Sequence, residues 1–174
     1  MPRKDQIRNR RRLLQAAREA FAENGPEASI EEIARRAGMG ATTFYRHFPT
    51  KDDLVDALLD ELGEGARQVA ARAQEQADPW AAFSLMFTEA CVLDDGDLAL
   101  FDLLGQVSPP SAARAQAITA EVIAPVVERA RAAGRLRGDV DVADVAAFMR
   151  MADSAPPRHR RKALEILLYG LAAP

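Results

Sequence analysis

The sequence predicts an all-α fold of about nine helices. Apolar residues recur at three- and four-residue spacing along most of the chain. No segment alternates with period two for long enough to form a convincing strand. Gly, Pro and capping residues punctuate the helical stretches. Asn9 is placed to cap a first helix running to Glu23, with Leu13, Leu14, Ala17 and Phe21 on one face. Asn24-Gly25-Pro26 stops it. Ser29-Ile30-Glu31-Glu32 reads as a capping box, opening a short second helix with Ile30, Ile33 and Ala34 inward. Ala37-Gly38-Met39-Gly40 is a tight turn, followed by a third short helix from Ala41 to His47 or Phe48. Thr50 caps a long fourth helix carrying Leu54, Leu58 and Leu62, in which Gly63 and Gly65 are candidate hinges.

Asp78-Pro79 opens the fifth helix, Asp as cap and Pro at the first helical position. Asp94-Asp95-Gly96-Asp97 is a turn before a sixth helix containing Leu100, Phe101, Leu103 and Leu104. Pro109-Pro110 starts a seventh, roughly 111–133, with a kink expected at Pro125. Asp141 caps the eighth helix, and Ser154-Ala155-Pro156-Pro157 separates it from the ninth.

The chain has 174 residues, enough for one compact domain or two small ones sharing a core. A single cysteine, Cys91, excludes a disulfide framework and reads as a small core or pocket residue. The two histidines, His47 and His159, have no metal-ligand spacing, so no metal and no cofactor is expected. No apolar run is long enough to span a bilayer and no signal-peptide pattern opens the chain, which points away from membranes and to the cytoplasm. Nucleotide loops and nucleophile–histidine arrangements are missing, which argues against an enzyme. Charge is distributed unevenly. Residues 1–51 hold eleven Lys and Arg against six Asp and Glu, a net of +5, whereas residues 52–174 carry a net of −8. A basic head on an acidic body suggests a polyanion for the head alone.

The second and third helices have helix-turn-helix proportions. In such a unit the second helix enters the major groove, so it must be short, apolar on one face and polar on the other. Phe44 and Phe48, four apart, point to the core and leave Ala41, Thr42, Thr43, Tyr45, Arg46 and His47 outward. Gly40 and Ala41 allow close backbone approach to DNA. Thr offers a hydroxyl and a methyl, and Arg reaches guanine or phosphate. Lys51 stands at a helix start, where free N–H groups favour an anion.

The stretch from Asn9 to Leu59, and IARRAGMGATTFYRHFPTKDDL above all, resembles the TetR family of one-component transcriptional regulators. The resemblance implies an N-terminal DNA-binding domain over residues 1–51 and a ligand-binding and dimerisation domain over residues 52–174. It implies double-stranded operator DNA, a small-molecule effector and a second copy of the chain as partners. Carried over by position, Thr42, Thr43, Tyr45, Arg46 and His47 are recognition-helix contacts. Lys51 and the start of the second helix near Ser29 are phosphate contacts. The segment from Arg3 to Arg12 is either an arm for the minor groove or a disordered tail.

Trp80, Phe83, Met86, Phe87, Phe101, Leu104, Ile118, Val122 and Met149, with Met151, either line an effector pocket or form plain core. Val142, Val145, Ala146 and Met149 form one apolar stripe, and Leu164, Leu167, Leu168 and Leu171 another. Two such hairpins facing each other build a four-helix bundle across a two-fold axis. The expected function is a repressor that binds a palindromic operator as a homodimer and is released by a small molecule. The alternative is a small-molecule- or protein-binding bundle with a degenerate DNA-binding head.

Overall fold

A computed structural model of the chain describes residues 2–90 and 97–173. Cys91 and the Asp94-Asp95-Gly96 segment lie outside the described residues. Nine α-helices occur among the described residues: α1 (Pro2–Asn24), α2 (Ile30–Arg36), α3 (Ala41–His47), α4 (Lys51–Gln74), α5 (Pro79–Glu89), α6 (Asp97–Leu104), α7 (Pro109–Ala132), α8 (Val142–Asp153) and α9 (Pro157–Leu171). They fall into two compact units. One comprises Met1–Glu61 with Ala99–Gln116, the other Leu62–Leu98 with Ala117–Pro174.

In the first unit, α1 begins seven residues before the expected cap at Asn9. Gln, Lys and Arg are good helix formers, Asp5 lies in the first turn, and Arg8 donates to Asp5 three residues away at 3.1 Å. Nothing after Pro2 in this stretch breaks a helix, so the basic segment is helical. The helix ends where Gly25 takes φ +67°, and a 3-10 turn (Gly25–Glu27) carries the chain to α2. Ser29 caps α2 by accepting from the Glu32 amide at 3.2 Å. Only half of the expected capping box forms. The Glu32 carboxylate instead accepts from Asn24 at 3.0 Å and from the Arg36 guanidinium at 2.8 Å, a stronger charged partner than a backbone amide.

Thr50 and Asp53 satisfy the start of α4 reciprocally: the Asp53 amide donates to Thr50 Oγ1 at 3.1 Å, and the Thr50 amide to the Asp53 carboxylate at 2.9 Å. Leu13, Ala17, Phe21, Ile33, Phe44, Leu54, Val55 and Leu58 are wholly buried in the core of this unit. The start of α7 belongs here too. Ser108 donates to Asp52 at 2.7 Å, and the buried Ser111 lies 2.9 Å from Ser108 Oγ.

In the second unit, Asp78 caps α5 by accepting from the Trp80 and Ala81 amides at 3.3 and 3.1 Å. Trp80, Phe83 and Phe87 stack along one face of α5, with ring centroids 5.3 and 5.8 Å apart. Helix α7 continues unbroken through Pro125; Pro125 and Glu121, whose carbonyl loses its helical partner, are both exposed to water. It closes on Gly134 at φ +65°, with the Arg135 amide reaching the Ala130 carbonyl at 2.9 Å. Asp141 and Asp144 complete a capping box on α8. The chain after α9 is tied down by a bridge between Leu136 and Ala172, with the Ala173 amide 2.9 Å from the Arg135 carbonyl. Gly63 of α4, a candidate hinge, has a packing role: a Cβ there would lie 2.9 Å from Cγ2 of the buried Ile118.

Candidate nucleic-acid interface

The α2–α3 turn is built on Gly38, at φ +66°, a backbone state that side chains strain. A Cβ there would also sit 2.9 Å from Arg12 Nη2, so α1 lies against the turn. Gly40 caps α3 through its backbone. Phe44 and Phe48 are buried as the spacing requires, 5.9 Å apart. This orients the rest of α3. Ala41, Thr42, Tyr45 and Arg46 are exposed, while Thr43 and His47 are half-buried. Tyr45 is 47% exposed although its ring meets Phe44 edge-on at 5.5 Å, which fixes the direction of its hydroxyl.

Lys51 Nζ donates to the Pro26 carbonyl at 2.8 Å and lies 5.5 Å from the Phe21 ring. Two of its three protons remain for another acceptor. Lys51 is thus tied to the Gly25–Glu27 turn that leads to the Ser29 cap of α2. Burial holds the His47 imidazole below its ordinary range, and the Arg46 and Arg10 charges push the same way. His47 Nε2 is buried with no hydrogen-bond partner among the described residues. Behind this face, Arg36 bridges Glu23 and Glu32 and holds the Glu23 carboxyl below the usual carboxylate range. Arg10, within the basic segment that the sequence offers as a DNA contact, places its guanidinium 4.5 Å above the Phe48 ring.

The residues singled out as pocket or dimer candidates divide differently. Phe83, Met86, Phe87, Ile118, Val122 and Met149 are buried in the second unit, with Trp80 half-buried. Phe101 and Leu104 belong to the first unit, half-buried and buried respectively. An open, mostly apolar groove of about 760 Å³ runs between α4, α5 and α9, lined by Val69, Thr88 and Leu164 with the Arg72–Glu89 pair at its rim. None of the nine pocket candidates lines it. Val145, Ala146, Met149, Leu164 and Leu171 are buried by their own chain; Val142, Leu167 and Leu168 are half-buried. On α8 and α9, Met151 (61% exposed), Ile166 (60%) and Tyr169 (88%) are left in water. Both faces of α9 carry apolar residues, so periodicity alone did not say which one turns inward.

Three helices packed on a Phe core, with a short exposed second helix of the motif, define a helix-turn-helix protein. Residues 13–58 match the family model described as bacterial regulatory proteins, tetR family. A crystal structure of the TetR transcription regulatory protein from Mycobacterium vanbaalenii is 30% identical, covering 99% of this chain and 100% of that one at a TM-score of 0.55. Salmonella enterica GusR is 26% identical, with 95% of each chain covered and a TM-score of 0.74. The HTH-type transcriptional repressor Rv3405c of Mycobacterium tuberculosis H37Rv is 54% identical over 52 residues. That match spans 29% of this chain and 28% of the relative's length. The chain belongs to the TetR family of bacterial regulatory proteins.

Proposed function

We propose that the chain is a transcriptional repressor that binds a two-fold-symmetric operator as a homodimer and leaves it when a small molecule binds. The observation that carries this reading is the division of α3: Phe44 and Phe48 are fully committed to the core, while Thr42, Tyr45 and Arg46 are left to solvent. A helix so short and so exposed gains little from burial, and its outward groups match base edges and phosphates. Thr42, Thr43 and Arg46 are the base-reading set, and Ser29, Tyr45, His47 and Lys51 position the backbone. Gly40 and Ala41 permit the close approach. On this reading residues 1–51 are the DNA-binding head and residues 52–174 the effector and dimer domain.

The dimer is supported by Met151, Ile166 and Tyr169, which keep apolar surface in water on α8 and α9. The groove between α4, α5 and α9 is the proposed effector site. To release DNA, an effector must bind the released state better, and a coupling of about 1–3 kcal/mol is typical. Fluorescence anisotropy with a duplex pool tests the reading. Arg46→Ala and Thr42→Ala lose sequence preference while the fold persists by circular dichroism. A pool bound equally well by wild type and both variants contradicts it and leaves a helical bundle with a degenerate head.

A further inference from the structure

Resting on the DNA-binding reading, we propose that Arg10, on α1 and outside the helix-turn-helix, is a phosphate-contact residue that widens the interface at the C-terminal end of α3. Its side chain is exposed, yet its guanidinium lies 4.5 Å above the ring of the buried Phe48. That stacking pre-orders a long side chain, so little freedom is lost when it meets an anion. Two guanidinium groups flank this end of α3: Arg10 stands over Phe48, and its charge and that of Arg46 both bear on the His47 imidazole. Among the described residues, neither Arg10 nor Arg46 is paired with a carboxylate. Other arginines of the chain do meet carboxylates. Arg36 meets Glu23 and Glu32, Arg67 meets Glu121, Arg72 meets Glu89, and Arg137 meets Asp139.

Gathering like charges without a counter-ion is unfavourable by itself and favourable against an anion. The His47 Nε2 left without a partner lies in the same cluster. Duplex DNA is the occupant this position selects, because α3 presents its reading face from the same end. Arg11, the next residue, supplies the contrast: it is exposed on another face of α1, shared with Ile7, Gln15 and Glu61.

The test is the salt dependence of binding to a random-sequence duplex of about 30 bp, for wild type, Arg10→Gln, Arg10→Lys and Arg11→Ala. Arg10→Gln keeps an aliphatic stem on Phe48 and removes the charge. One phosphate contact contributes about 0.9 to the slope of log K against log salt, or roughly an eightfold change in affinity at about 0.1 M. The expected result is that loss for Arg10→Gln, recovery in Arg10→Lys and a wild-type slope in Arg11→Ala. A wild-type slope in Arg10→Gln overturns the proposal and leaves the DNA reading standing. An equal loss in Arg11→Ala also overturns it, since the effect is then diffuse charge. Failure of the wild-type chain to bind duplex at all removes the DNA reading itself.

Discussion

Replacing Gly63 with Ala sets two effects of known sign against each other. In an ordinary helix interior the change stabilises by about 0.5–1 kcal/mol, because alanine loses less backbone freedom on folding. Here the new Cβ would stand 2.9 Å from Ile118 Cγ2, closer than a methyl contact allows. Ile118 is 2% exposed, and its branched Cβ leaves few rotamers, so that methyl has little room to retreat. Overpacking of this kind costs about 1–3 kcal/mol, so a net loss of about 1 kcal/mol is expected. The discriminating measurement is a double-mutant cycle with Ile118→Ala, followed by urea unfolding and the fluorescence of Trp80. Ile118→Ala alone costs about 2–5 kcal/mol. In that background Gly63→Ala becomes stabilising, and the cycle returns a coupling of about 1–3 kcal/mol. If Gly63→Ala stabilises both backgrounds by the same amount, the close approach of α4 and α7 does not exist and Gly63 needs another explanation.

Removing the α2 cap with Ser29→Ala lowers stability by about 1 kcal/mol, and Ser29→Asp restores it, both read by urea unfolding. For His47 the folded value lies below the unfolded one, so the unfolded chain binds more protons as pH falls through about 6.5. Its contribution to stability is therefore intact above that pH and lost below it; His47→Gln flattens the pH dependence of the unfolding midpoint there, and an unchanged profile refutes the assignment. Ile166→Glu on the exposed face of α9 converts a dimer to monomer in sedimentation equilibrium while leaving helix content unchanged, whereas Leu164→Glu, buried at 3% exposure, unfolds the second unit.

Local chemistry was the part of this fold that the sequence exposed most directly. Asp78-Pro79 and Asp141 start helices because caps act over three residues, and Phe44 and Phe48 face inward because four residues make a turn. The start of α1 was missed for the same reason: Asn9 has capping chemistry, but nothing beyond it breaks the helix, and an unburied stretch gives no periodicity to read. The Glu32 carboxylate had a choice between its own backbone and Arg36, a partner four residues on whose reach also takes in Glu23. On α9, Leu164 and Leu171 turn inward while Ile166 and Tyr169 turn outward, a choice set by neighbouring helices. Arg10 belongs to the same class, because its place over Phe48 depends on how α1 crosses α3.

Whether α3 reads duplex DNA as one of a symmetric pair is decided by in-vitro selection of the purified protein on randomised duplex, followed by sequencing. The expected result is enrichment of an inverted repeat with half-site centres about 34–36 Å apart along the helix, or a multiple of that turn. Wild-type protein that enriches no sequence, even after unfolding and refolding to remove any bound small molecule, contradicts it.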